Sequence, residues 1–128
     1  MAEIEAKFLE GIVRPYKGNG RKLGYPTANI DVPTDLKDGV YFGLADLADY
    51  SHNPAVIFIG TPTTLGDSER RVEAYLFDVE DKDYYGEGLK IEINHFHRSN
   101  KTFDSVEELL KVMQDDETTA RQWFAAKS

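Results

Sequence analysis

The sequence predicts a small all-β domain, an antiparallel barrel or sandwich, closed by a C-terminal helix. Short runs rich in β-branched and aromatic residues follow one another up to Phe96, with turn-forming clusters between them. After Asp104 the apolar spacing changes from the strand period to the helical one. No helical pattern intervenes between the strand-like runs, which argues against a parallel βαβ arrangement.

Taken in order, the strand-like runs are FLEGIV (8–13), GVYFGLADL (39–47), PAVIFIG (54–60), RRVEAYLFD (70–78) and LKIEINHF (89–96). The clusters KGNG, PTDLKDG, YSHNP, LGDSE and YYGEG separate them, each rich in residues that favour turns. Alternation is clearest in the last two runs. Val72, Ala74 and Leu76 share one face, with Glu73, Tyr75 and Phe77 on the other, and Leu89, Ile91 and Ile93 repeat the period. Beyond Asp104, the residues Val106, Leu109, Leu110, Met113, Ala120 and Phe124 form a stripe that can lie on the sheet. Ser105 and Glu108 have the spacing of a capping box. Gln114-Asp115-Asp116 adds nothing apolar, so one long helix or two shorter ones both fit. The run from Gln114 to Glu117 reads as a solvated helix face, and Trp123 as an anchor against the barrel.

With 128 residues the chain suits one domain, spanning 1–128, with a single core. Hydrophobic residues make up 41% and charged residues 30%, the balance of a globular protein. No apolar run reaches the roughly 20 residues of a membrane span, so no membrane association is expected. The early acids of MAEIEAKFLEG do not fit a signal peptide. Cysteine is absent, which removes disulfides, thiolate metal sites and thiol nucleophiles and fits a cytoplasmic setting. The net charge of −8 repels nucleic acid, which needs a concentrated basic surface. Four cations, Arg14, Lys17, Arg21 and Lys22, nevertheless fall within nine positions. A local anion site and a chance cluster on a solvated surface both account for them.

The segment GNGRKLGYPTANI, residues 18–30, is the chemically suggestive one. Gly18, Gly20 and Gly24 allow tight turns and close approach of backbone to a ligand. Arg21 and Lys22 among them can donate to phosphate oxygens. Thr27 and Asn29, two residues apart after Pro26, point the same way if the chain is extended. Their hydroxyl and amide oxygens suit Mg²⁺, a cation that usually shares its shell with phosphates and water. A basic glycine loop followed by an Asn turn, with no ligand, explains the same residues. The segment is not a Walker motif. Glu73 on its strand reads equally as an exposed acid paired with Arg70 or Arg71. His52, His95 and His97 lack partners at metal-ligand spacing.

The same segment resembles the signature of the riboflavin kinase family, a Gly-rich flap ending in L-G-[FY]-P-T-A-N. The likeness continues in order through GVYFG, FIGTPTTLG, RRVEAYLFD, YYGEGLKIEI and HRSNKTFDSVEEL. The resemblance implies a six-stranded antiparallel Greek-key barrel with a long C-terminal helix. It also implies transfer of the ATP γ-phosphate to the 5′-hydroxyl of riboflavin, giving FMN and ADP, with Mg²⁺ as cofactor. By position, Thr27 and Asn29 would ligate Mg²⁺ and touch the phosphates. Gly18, Gly20 and Gly24, with Arg21 or Lys22, would hold the triphosphate, and Glu73 matches the catalytic base. Arg98 and Phe103 match the flavin-side residues, to which Tyr85 and Met113 are natural additions as clamp residues. A monomer is expected, standing alone or linked to an FMN adenylyltransferase domain in a longer chain. Two other classes also fit the barrel: a flavin- or nucleotide-binding module without catalysis, and a flavin-sensing regulatory domain.

The chain departs from the family after the first strand. There the family often has V-x-H-G or V-x-R-G, whereas this chain has Val13-Arg14-Pro15-Tyr16-Lys17. Lys17 or Arg14 is the natural replacement for the missing contact.

Overall fold

The computed structural model describes residues 3–15, 24–61 and 69–127. Six strands are present: β1 (Glu3–Arg14), β2 (Ala28–Ile30), β3 (Gly39–Leu47), β4 (Tyr50–Gly60), β5 (Arg71–Leu76) and β6 (Gly88–Arg98). One helix follows, α1 (Val106–Lys127). The strands close into an antiparallel barrel in the order β1-β2-β5-β4-β3-β6. Strands β3, β4 and β5 run as consecutive antiparallel neighbours and β6 returns beside β3, which is a Greek key. The five strand-like runs of the sequence are β1 and β3 to β6. The sixth strand, β2, lies inside the glycine-rich motif and bridges β1 and β5.

Alternation fills the barrel. Val72, Ala74 and Leu76 of β5 meet Leu89, Ile91 and Ile93 of β6, and Tyr41, Ala45 and Leu47 of β3, in one buried core. The opposite faces of β3, β4 and β5 carry Phe42, Val56, Tyr75 and the following Phe77, and these pack under α1 with Ala120, Trp123 and Phe124. The barrel therefore has two apolar layers, one inside and one between its wall and the helix.

Strand β6 changes face part-way along. Gly43 pairs with Ile93 and Phe42 with His95, so Asn94 is an extra residue; Tyr41 pairs with Phe96 and Val40 with Arg98, so His97 is another. Each such bulge shifts the alternation by one. The first sends His95 to the face of Phe42, on whose ring it stacks at 5.4 Å. The second leaves His97 stacked on Phe42 at 4.7 Å as well, while Phe96 turns inward onto Tyr41. A bulge-free strand would have kept His95 and His97 with Ile91 and Ile93 inside the barrel.

Helix α1 is a single helix of 22 residues, which decides between the one-helix and two-helix readings. Ser105 Oγ accepts from the Glu108 N–H at 3.1 Å, the N-cap half of the expected capping box. The buried stripe differs from the expected one. Val106 is exposed, and Asp116, read from the sequence as part of a solvated face, is only 6% exposed. It stands three residues after Met113 and four before Ala120, so the helical period carries the stripe through it. Its carboxylate is buried because β6 supplies cations for it, described below. Trp123 packs on Phe42, His95 and Phe124, the anchoring role expected of it.

Gly43 faces β6 where the first bulge begins. A Cβ there would collide with the Glu92 carbonyl oxygen and press on Ile57 Cδ1. Gly43→Ala should lower the stability of the barrel by roughly 1–3 kcal/mol or more, as overpacking against backbone does. Urea denaturation of the two proteins, compared at equal m-value, measures it.

Candidate active site

The site lies on the outside of the barrel, between its wall and the first half of α1. Gly24 turns the chain with φ +87°, a conformation that glycine adopts without strain, and among the described residues no atom approaches the space a Cβ would take. The requirement there is one of backbone conformation. Tyr25, Pro26 and Thr27 then lead into β2, whose pairing with β5 sets Asn29 directly opposite Glu73. Thr27 Oγ1 donates to Glu73 Oε1 at 2.8 Å. Asn29 Nδ2 lies 3.4 Å from the Thr27 carbonyl oxygen and 3.5 Å from its Oγ1. A hydroxyl, an amide and a carboxylate thus converge from two neighbouring strands, as the expected common orientation of Thr27 and Asn29 requires.

Asn29 Oδ1 is buried and has no hydrogen-bond partner among the described residues. An oxygen in that position is an unused hard donor, and Thr27 Oγ1 beside it retains acceptor capacity. Both fit Mg²⁺. Among the described residues no group of three or more His, Asp or Glu can enclose a metal ion, so an ion here would draw its other ligands from phosphates and water. Arg70 is not the partner of Glu73 considered from the sequence. It binds Asp38 at 2.8 Å and the carbonyls of Thr34 and Leu36, and so ties the β2–β3 connection to the start of β5.

Thr27 and Glu73 open onto a cavity of about 150 Å³. Val40, Val56, Phe58 and Tyr75 form its barrel wall, Leu109 and Met113 its helix wall, and Arg98, Asn100 and Phe103 its far end. Tyr25 closes the near end, edge-on to Tyr75 at 5.1 Å. Burial pushes the Tyr25 phenol up to about 12, helped by its hydrogen bond to Glu117. Burial likewise raises Tyr75. Both phenols therefore stay protonated near neutral pH and cannot serve as bases. The helix carboxylates of the cavity are held by arginines: Glu117 by Arg121 at 2.9 Å, Asp116 by Arg98. Glu73 accepts from the neutral Thr27 hydroxyl.

The expected flavin-side residues separate into two groups. Arg98, Phe103 and Met113 all line the cavity. Tyr85 does not. It is half-exposed in the turn before β6, whose Gly86 N–H donates to the Val13 carbonyl at the end of β1. Its neighbour Tyr84 takes the inward position and donates to the Glu80 carbonyl at 2.7 Å, which leaves Tyr85 pointing away. Gly18, Gly20, Arg21 and Lys22, with Lys17, lie outside the described residues. Cavity residues that the sequence did not single out for the site include Tyr25, Asn100, Asp116 and Glu117. Asp116 had a local signal, its helical spacing between Met113 and Ala120.

Fold and site together define the class: a six-stranded Greek-key barrel in which a carboxylate and a hydroxyl open onto an aromatic cavity under the helix, with a buried amide oxygen beside them. The sequence model of the riboflavin kinase (flavokinase) family matches residues 5–124. This chain belongs to that family. Human riboflavin kinase is 29% identical over 117 residues, covering 87% of this chain and 76% of that protein. The bifunctional riboflavin kinase/FMN adenylyltransferase of Escherichia coli (strain K12) is 32% identical over 111 residues, covering 82% of this chain. Riboflavin kinase from Trypanosoma brucei has a similar structure, with a TM-score of 0.70 and 25% identity over 95% of this chain and 82% of that one. Against some relatives the chain is only a part: it spans 34% of the Escherichia coli protein and 18% of a trifunctional protein from Mycoplasmoides gallisepticum.

Asp116 also makes the fold sensitive to acid. Burial pushes its carboxyl up, but hydrogen bonds from Arg98 and His97 outweigh this and hold it below the ordinary carboxylate range. A depressed native pKa stabilises the fold fully above the unfolded value of about 4, and that stability is lost as pH falls through the native value. Asp116→Asn should therefore melt earlier than wild type at pH 7, by the roughly 3–5 kcal/mol typical of a broken buried pair. The two melting temperatures should then converge as pH falls below about 4 and the carboxylate protonates. Thermal melts across that range measure both effects.

Proposed function

We propose that this protein transfers the γ-phosphoryl group of ATP to the 5′-hydroxyl of riboflavin, forming FMN and ADP, with Glu73 as the general base. The observation that carries the reading is the Thr27–Asn29–Glu73 cluster, in which Thr27 and Glu73 line an aromatic cavity and Asn29 lies beside them, opposite Glu73 across the β2–β5 pair. Family membership supplies the reaction class. Phosphoryl transfer asks chiefly for positioning and for neutralisation of charge, with one group to take the proton of the attacking hydroxyl.

Riboflavin offers a flat tricyclic ring and a flexible polyol. The cavity suits the ring, with Phe103, Met113 and Tyr75 against its faces and Arg98 beside its polar edge. The polyol would then run toward Thr27 and Glu73, where the carboxylate accepts the proton of the terminal hydroxyl as its oxygen attacks phosphorus. Thr27 orients that carboxylate through the 2.8 Å hydrogen bond. Mg²⁺, held by Asn29 Oδ1 and Thr27 Oγ1, would screen the phosphate charge. Arg21 or Lys22, with the glycines at 18, 20 and 24, would bind the triphosphate, and Arg14 or Lys17 would take the contact that the departure at Pro15-Tyr16 removes.

Incubation with riboflavin, ATP and Mg²⁺ should yield FMN, resolved by chromatography. A protein that binds both substrates and forms none would be a binding module instead. Glu73→Gln should keep the binding of both substrates while kcat falls by roughly 10²–10⁴, the contribution of a positioned base. Asn29→Ala should raise the Mg²⁺ concentration needed for half-maximal rate and leave riboflavin affinity unchanged; a wild-type Mg²⁺ requirement removes Asn29 from the metal site.

A further inference from the structure

Asp116 and Ala120 are the two buried residues of α1, and Asp116 is the one buried carboxylate among the described residues. Its oxygens take two parallel hydrogen bonds from one guanidinium, Arg98 Nε to Oδ1 at 2.8 Å and Arg98 Nη2 to Oδ2 at 2.7 Å. His97 Nε2 approaches Oδ1 at 3.2 Å. Consecutive residues of a regular strand face opposite ways, so two neighbouring side chains can converge on one carboxylate only because His97 is the bulged residue of β6. A buried ion pair is a poor way to gain stability, because desolvation consumes most of the attraction and apolar residues of similar size often do as well. Its effect on geometry is large, however. A bidentate clamp fixes the plane of a guanidinium whose free side chain samples many rotamers.

The clamp leaves part of the fork unused. Arg98 commits Nε and Nη2 to Asp116 and Nη1 to the Ser99 carbonyl at 3.1 Å. Three of the five guanidinium N–H groups are thereby engaged, and two remain for a ligand in the cavity that Arg98 and Asp116 both line. We propose that Asp116 is a positioning residue for substrate recognition: it holds Arg98 so that these remaining N–H donors meet the carbonyl oxygens on the pyrimidine edge of riboflavin. Asp116 does not touch the reacting atoms, and the inference rests on riboflavin being the ligand of this cavity.

Riboflavin affinity, read from quenching of its fluorescence, tests this without requiring turnover. In Asp116→Asn the dissociation constant should rise about tenfold or more, the loss expected when a charged hydrogen bond is misplaced. The KM for riboflavin should rise with it while the KM for ATP holds. The double variant R98A/D116N should bind no more weakly than R98A, since residues acting through one contact are not additive. A purely structural Asp116 would lower the melting temperature and leave the affinity of the folded fraction unchanged, which overturns the proposal, as additive effects also do. If D116N does not fold at the assay temperature, R98M/D116L replaces the whole pair by apolar groups of similar size, a change that buried pairs tolerate. That variant should fold and bind riboflavin at least about tenfold more weakly than wild type; wild-type affinity in it overturns the proposal, and so does a wild-type protein that fails to bind riboflavin. A wild-type protein that binds riboflavin and makes no FMN sinks the kinase reading alone, because the comparison of affinities still decides the role of Asp116.

Discussion

The outer face of β3, β4 and β5 is apolar on a barrel whose interior is already full, and the molecule is organised around covering it. Phe42 and Phe77 on that face are buried only because α1 lies over them. Burial of a large apolar side chain is worth roughly 1.5–3 kcal/mol, so a layer of several aromatic rings holds the helix in place without any contribution from helix propensity. The helix packs tightly over its second half, through Ala120, Trp123 and Phe124. Its first half stands off from the wall, and the cavity is the space left between them. The cavity is thus a consequence of how far the helix closes on the barrel.

The bulges of β6 adapt the wall to that helix. With regular alternation β6 would present Phe96 beneath α1 and place His95 and His97 inside the barrel. Two extra residues reverse this, so the rings stack on Phe42 and Arg98 meets Asp116. Bulges near functional sites commonly re-aim side chains in this way. Here the second one delivers a cation to the cavity together with its immediate neighbour.

Charge in the cavity is sorted by partner. Asp116 and Glu117 sit one residue apart on α1 and each is bound by a different arginine, Arg98 from β6 and Arg121 from the next turn of the helix. Tyr25 adds a phenol to Glu117 and stays protonated because burial raises it. Glu73, also lining the cavity, accepts from the hydroxyl of Thr27 on the β2 side. Arg98 and Glu73 both line this aromatic cavity. Arg121 also binds Asp78 and lies over the Phe77 ring at 4.3 Å, which ties the end of β5 to the helix that roofs the site.

The sequence by itself determined the local elements. The period of two in residues 70–78 and 89–93 and the helical period after Asp104 indicate which residues share a face, and these appear in β5, the first half of β6 and α1. It also offered the candidate oxygens at Thr27 and Asn29, which one short motif carries, while Glu73 came from a separate block of the family resemblance. What brings them together is tertiary: Thr27 and Glu73 are 46 positions apart and meet only because the three-residue β2 is inserted between β1 and β5. Tyr85 shows the limit from the other side, since its inward-facing neighbour Tyr84 decides its direction. Asp116 shows it most clearly. Its helical spacing marks it for the buried stripe, but charge argues for solvent, and only cations delivered by a bulged strand 18 positions away settle the matter. Periodicity is a one-dimensional property of the chain; bulges and ion-pair partners depend on register against a distant strand, which no local pattern contains.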